Sequence, residues 1–144
     1  MTIYRWIRTN LISGYSPTTQ VYGICFDRYD KILICKKPME AWSLPGGKPE
    51  ANETLVETLQ RELLEEVDTT ISSARLLGVQ EVDGTIYQAR FIATIKDMYP
   101  QTLDPDTGLQ FERKLVRPQE IGKYINWGEL GKIMFEQAVE LHLG

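Results

Sequence analysis

Gly46-Gly47-Lys48-Pro49-Glu50-Ala51-Asn52-Glu53, followed eight residues later by Arg61-Glu62-Leu63-Leu64-Glu65-Glu66, is the stretch on which the reading of this chain turns. Leu55, Leu59, Leu63 and Val67 recur at a four-residue spacing, which makes one stripe of an amphipathic helix. The pattern predicts a helix from Glu53 to Val67, with Asn52 as its cap. Glu62, Glu65 and Glu66 stand at i, i+3 and i+4, so their carboxylates converge on a second face of that helix. Like charges at this spacing cost a few tenths of a kcal/mol per pair, and near a helix C-terminus they also oppose the macrodipole. A solvated acidic face is one reading of such a cluster. A hard divalent cation is the other, because Mg²⁺ and Mn²⁺ prefer carboxylate oxygens and complete their shells with water and substrate phosphates. Gly46-Gly47 supplies a backbone without side chains, able to approach a ligand or metal closely.

The register Gly47, five residues, Glu53, seven residues, Arg61-Glu62-Leu63, one residue, Glu65-Glu66 resembles the signature box of the MutT-like Nudix hydrolases. The resemblance implies that Glu62, Glu65 and Glu66 are metal ligands and that the Gly46 carbonyl joins their shell. It implies that Arg61 orients the glutamates, and that Glu53 supports the loop or an additional metal. The box departs from the family pattern at its end, where Asp68-Thr69 replaces a glycine and an aliphatic residue. Asp tolerates the left-handed conformation that stops a helix, at a penalty of about 1 kcal/mol. The departure is expected to be a structural cost at the helix exit, with Ile71 supplying the displaced apolar contact, and it removes no ligand.

With 144 residues, 42% of them hydrophobic, the chain is expected to form a single domain over 1–144 with a sizeable core. A net charge of −4 and a pI near 5.1 argue against a stable nucleic-acid partner, which needs a basic surface. A small phosphorylated ligand remains compatible, since a metal bridges an acidic site to a polyanion. Cys25 and Cys35 lie in apolar runs and read as buried free thiols. No run approaches the roughly 18 apolar residues of a membrane span, and the expected address is cytoplasmic.

Gln20–Phe26 and Lys31–Lys36 read as a hairpin around Asp27-Arg28-Tyr29-Asp30, and Trp42–Pro45 as a short extended lead into the glycines. Ala74–Val82 and Thr85–Ile95 read as a second hairpin around Asp83-Gly84. Lys96–Gly108 is expected to be a loop at the site or a partner contact, Leu109–Val116 a returning strand, and Pro118–Tyr124 a short helical turn. A last helix should start near Gly128, burying Leu130, Ile133, Met134, Ala138 and Leu141. Strands on both sides of one helix, with a second helix at the end, point to an α/β fold with a mixed sheet between helical layers. This agrees with the α/β/α sandwich that the Nudix resemblance implies.

Pyrophosphate binding calls for cations, and Arg28, Lys36, Lys37 and Lys48 are the candidates nearest in sequence to the glycine loop. Tyr22, Trp42, Tyr87, Phe91 and Tyr99 offer flat surface for a nucleobase, with Trp42 favoured because it precedes the glycines. Glu112 lies where members of the family often place a further carboxylate, as a metal ligand or a base, with Glu81 and Asp106 as weaker competitors. His142 is the only histidine, so a histidine triad or zinc site has no material. The resemblance implies a Mg²⁺-dependent (or Mn²⁺-dependent) pyrophosphohydrolase of nucleoside diphosphates linked to another moiety, with nucleoside triphosphates as the first expectation. The competing reading is an inactive module of the same fold that binds a nucleotide or a partner. The sequence leaves oligomeric state open, a homodimer included.

Overall fold

The computed structural model describes residues 1–144. Strands β1 (Tyr4–Arg8), β2 (Thr18–Phe26), β3 (Ile32–Lys36), β4 (Gly46–Gly47), β5 (Thr69–Val82), β6 (Ile86–Met98) and β7 (Glu112–Val116) share one sheet. Their order is β1-β5-β6-β2-β3-β7, with β4 paired to β2 beside this path. Only β2 and β6 run parallel; the other pairs are antiparallel, so the sheet is mixed. Helix α1 (Leu55–Val67) covers one face and α2 (Gly128–Leu143) the other, with a 3₁₀ turn at Pro118–Lys123 leading into α2.

Period-two alternation along the central strands feeds both cores. Val21 and Cys25 of β2 pack with Leu59, Leu63 and Val67 of α1. Ile24 and Phe26, pointing the other way, pack with Met134, Phe135 and Ala138 of α2. The chain therefore forms the expected α/β/α sandwich. Cys25 and Cys35 are buried, unbridged thiols, as their apolar settings imply. No helix is long and apolar enough to cross a membrane.

Both hairpins form. Asp27 closes the first, its Oδ1 accepting the backbone N–H groups of Tyr29 and Lys31, each at 2.9 Å. Asp83 and Gly84 turn the second with φ of 51° and 69°, a left-handed pair in a tight turn that the Thr85 N–H closes on the Val82 carbonyl at 3.1 Å. Its strands outrun the expected bounds, because Thr69 pairs with Met98 directly at the exit of α1. The loop expected from Lys96 accordingly begins after Met98. Strand β1, absent from the sequence reading, lies along β5 from Tyr4↔Val82 to Arg8↔Gly78.

The helices differ from expectation in their details. Thr54, rather than Asn52, caps α1: its side chain accepts the Glu57 N–H at 3.1 Å and the Glu57 carboxylate accepts the Thr54 N–H at 2.8 Å. This reciprocal capping box satisfies two otherwise orphaned donors, which Asn52, in a left-handed turn with φ of 68°, does not do. Helix α2 begins at Gly128 as expected but buries Gly131, Met134, Phe135 and Ala138. Ile133 is 39% exposed, and Leu130 and Leu141 are half-buried, because Phe135 takes the core-facing position.

Candidate metal and phosphate site

Two glycines allow the sheet and α1 to meet. Antiparallel pairing sets Gly46 opposite Tyr22 and Gly47 opposite Val21. A Cβ on Gly46 would overlap the Val21 carbonyl, and one on Gly47 would sit 2.5 Å from the carboxyl carbon of Glu62. The Glu62 carboxylate thus rests on bare backbone. One turn further along α1, Glu66 Oε1 accepts the Gly46 N–H at 3.0 Å.

Arg61 holds this arrangement from behind. Its Nε donates to Glu53 Oε2 at 2.6 Å and its Nη1 to Glu62 Oε1 at 2.8 Å. Nη2 donates to the Lys48 carbonyl at 3.0 Å and to Glu53 Oε1 at 3.1 Å. Glu65 Oε2 stands 3.4 Å from Nη1. The side chain is 21% exposed, so these charge-assisted bonds are shielded better than a surface pair. Glu53 also accepts the Glu50 N–H and the Thr58 hydroxyl. Its pKa is held down to about 2, chiefly by Arg61 and then by the Glu50 backbone.

The loop between β6 and β7 brings further carboxylates to the same place. Asp104 is 5% exposed, its Oδ1 accepts the Asp106 N–H at 2.9 Å, and its backbone N–H donates to the Leu109 carbonyl at 2.7 Å. One oxygen from each of Glu65, Asp104 and Asp106 lies within 4.8 Å of the others. Burial raises the pKa of Glu66 to about 8, with Glu62 and Asp104 pushing the same way. Glu62 is raised by burial, against the pull of Arg61, and Glu65 by burial and then by Asp106. Oxygen-only donors that repel one another in a half-buried setting fit a hard divalent cation.

A cleft of about 350 Å³ opens here. Gly46, Gly47, Lys48, Glu62 and Glu66 line it together with Lys36, Lys37, Asp104 and Tyr22. Seven sequence candidates lie elsewhere: Phe91 is buried in the core beneath α1, Tyr99 is exposed just past β6, and Glu81 pairs with Arg5. Arg28 sits over the Tyr29 ring in the first hairpin turn, and Tyr87 packs edge-on against Tyr15. Trp42 packs against Tyr124 and, with Glu112, lines a neighbouring hollow. Glu112 falls opposite Lys36 in the β3–β7 register and pairs with its Nζ at 3.2 Å. That register puts the expected outer carboxylate on the α2 face of the sheet, opposite α1. Asp104 and Asp106 reach the acidic cluster instead, and of these the sequence reading weighed only Asp106. Two carboxylates flanking Pro105 in a polar loop were the available signal.

Residues 17–136 match the NUDIX domain family, and the chain belongs to that family. It is 35% identical over 60 residues to an 8-oxo-dGTP diphosphatase of Proteus vulgaris, an alignment that covers 38% of this chain and 54% of that protein. The chain thus spans about half the length of the curated relative it matches. A MutT structure from work on the Aliivibrio salmonicida and Vibrio cholerae proteins superposes with a TM-score of 0.64 at 24% identity, covering 84% of this chain and 94% of that one. The pyrophosphohydrolase BsRppH of Bacillus subtilis superposes with a TM-score of 0.76 at 18% identity, covering 95% and 90%. At these identities the likeness is one of fold.

Proposed function

We propose that this protein is a Mg²⁺- or Mn²⁺-dependent pyrophosphohydrolase acting on nucleoside triphosphates, or on closely related nucleoside diphosphate derivatives. The observation that carries the reading is the meeting of Glu62, Glu65 and Glu66 with Asp104 beside the Gly46-Gly47 backbone. A bound divalent cation would supply neutralisation of the pyrophosphate oxygens and acidification of a water. Glu62, Glu65, Glu66, Asp104 and Asp106 would hold it. Arg61 keeps Glu62 and Glu65 in place, and the Gly46 N–H fixes the rotamer of Glu66. Lys36 and Lys48 face the same cleft and meet phosphate oxygens by charge. Glu112, engaged by Lys36, has no part in this reading.

Nucleoside triphosphates stand first because of the named activity of the Proteus vulgaris relative and the size of the cleft. The reading takes 1–144 as one domain, and the free thiols suit a cytoplasmic setting. The test is turnover of a panel of nucleoside triphosphates, nucleotide sugars and dinucleoside polyphosphates under Mg²⁺ or Mn²⁺, with products identified by mass spectrometry. Glu65→Gln should lower Mg²⁺-dependent turnover by at least tenfold. Undiminished turnover would remove Glu65 from the site, and tight nucleotide binding without products would favour a binding module.

A further inference from the structure

Arg90 lies near the middle of β6, on the face that looks toward α2, and is 4% exposed. No carboxylate pairs with it. Its guanidinium carbon stands 4.5 Å from the Tyr22 ring centroid and 5.6 Å from that of Trp127. Nη2 donates to Gln88 Oε1 at 3.1 Å and to Gln80 Oε1 at 3.4 Å, while Nε and Nη1 are buried without a partner. A buried, unsatisfied charged donor costs more than stacking on two aromatic rings returns.

Arg90 also lines a cavity of about 360 Å³, which Tyr4, Tyr22, Gln80, Gln88, Trp127 and Leu130 complete. Tyr22 lines both this cavity and the acidic cleft. A ligand whose phosphates lie in the cleft therefore has a flat-walled space next to it, past the Tyr22 ring. The cavity is rich in donors. Arg90 offers only N–H groups, and with both glutamine carbonyls turned to the guanidinium, the two amide NH₂ groups are left as donors too.

We propose that this cavity takes the base of the substrate and that Arg90 selects a 6-oxopurine over a 6-aminopurine. Guanine and hypoxanthine present two acceptors, O6 and N7, along one edge, whereas adenine presents N7 beside a donor N6. An adenine edge keeps N7 as an acceptor but sets its N6 donor against a second Arg90 N–H, while a 6-oxopurine offers both N7 and O6 as acceptors. Trp127 and Tyr22 supply the flat faces against which the ring lies. The proposal rests on nucleotide hydrolysis at the adjoining cleft for its kinetic readout, and binding tests it independently.

The experiment compares GTP and ITP with ATP as substrates, and GMP with AMP by calorimetry in the absence of metal. The native protein should favour the 6-oxopurines about tenfold or more in kcat/KM and in affinity. Arg90→Met should bring both ratios toward one, raising KM for GTP while kcat stays within about threefold; Arg90→Lys should restore part of the preference. Exchange of an unpaired buried charge for an apolar side chain should leave the melting temperature unchanged or higher, which separates recognition from a structural role. Should Arg90→Met fail to fold, Trp127→Ala, at the cavity mouth, should weaken GMP binding and leave the fold intact. Turnover with no base preference, or a preference that survives Arg90→Met, would overturn the proposal. If no nucleotide is hydrolysed, the reading of the cleft fails, and the GMP-to-AMP affinity ratio decides the role of Arg90 alone.

Discussion

Asp68 receives two hydrogen bonds from Thr102, one from its backbone N–H to Oδ2 and one from its hydroxyl to Oδ1, both at 2.8 Å. The Asp68 carbonyl also accepts the Tyr99 N–H at 2.9 Å. Asp68 ends α1 in the left-handed conformation, with φ of 50° and ψ of 43°, and its N–H caps the helix on Leu63 and Leu64. One residue thus stops the helix that carries Glu65 and Glu66 and clamps the loop that carries Asp104 and Asp106. The family's glycine in this position can only stop the helix.

Asp68→Gly should therefore relieve about 1 kcal/mol of backbone strain and forfeit two hydrogen bonds to a buried carboxylate, each worth about 1.5–3 kcal/mol. The net expectation is a loss of stability of about 2–5 kcal/mol, confined to the loop. Hydrogen exchange of residues 99–111 should quicken while α1 remains protected, and Mn²⁺ affinity should fall. Equal protection of the loop in both proteins would show that the clamp does not order it.

What the sequence disclosed follows the reach of each signal. The stripe Leu59, Leu63, Val67 and the glutamate register are local and periodic, so α1 and its acidic face were legible. Thr54 displaced Asn52 as the cap because Glu57, three residues on, answers it. Strand β1 owes its place to long-range terms, such as the Trp6 Nε1–H donating to Gln137 Oε1 at 2.7 Å, which no local pattern encodes. Where Glu112 would point was not legible for the same kind of reason. Its direction depends on the β3–β7 register, and the arrival of Asp104 at α1 depends on the Asp68–Thr102 clamp. Arg90 lay hidden because a lone arginine in an apolar strand announces no partner.

Arg61 joins Glu53, Glu62 and the Lys48 carbonyl through a planar fork, a geometry that an ammonium group does not reproduce. Arg61→Lys should keep the charge and lose the positioning, lowering kcat/KM and divalent-ion affinity by about 10–100-fold. Circular dichroism should show the helices intact. Full activity in Arg61→Lys would mean that charge alone suffices.

Burial raises the Cys25 pKa to about 12 from an ordinary value of 9.0, and raises that of Cys35 as well. Neither thiol should react with a disulfide reagent at pH 8 in the native protein, and both should react once guanidinium unfolds it. Because the folded pKa lies above the unfolded one, this contribution to stability is complete below about pH 9. It is lost as pH rises from there toward 12, where the unfolded chain ionises and the folded one resists. A denaturation series from pH 7 to 11 should show stability falling above pH 9, and Cys25→Ala should flatten that fall.

If the acidic cluster holds a cation as proposed, the fold should depend on divalent ions in a way that does not require catalysis. Without a cation, Glu65, Asp104 and Asp106 keep oxygens within 4.8 Å of one another at a like-charge cost, and Arg61 reaches only Glu65 of the three. An ion that binds the native state alone stabilises it by about 2.7 kcal/mol at a hundred times its Kd. For a domain of this size that is a rise in melting temperature of about 5–10 °C on adding Mg²⁺ to protein treated with a chelator. Asp104→Asn should raise the melting temperature of the metal-free protein and shrink the Mg²⁺ increment, since it removes repulsion and a ligand together. A surface collection of solvated carboxylates predicts the opposite on both counts: no increment beyond that of equal ionic strength, and no gain from Asp104→Asn, whose Oδ1 still accepts the Asp106 N–H.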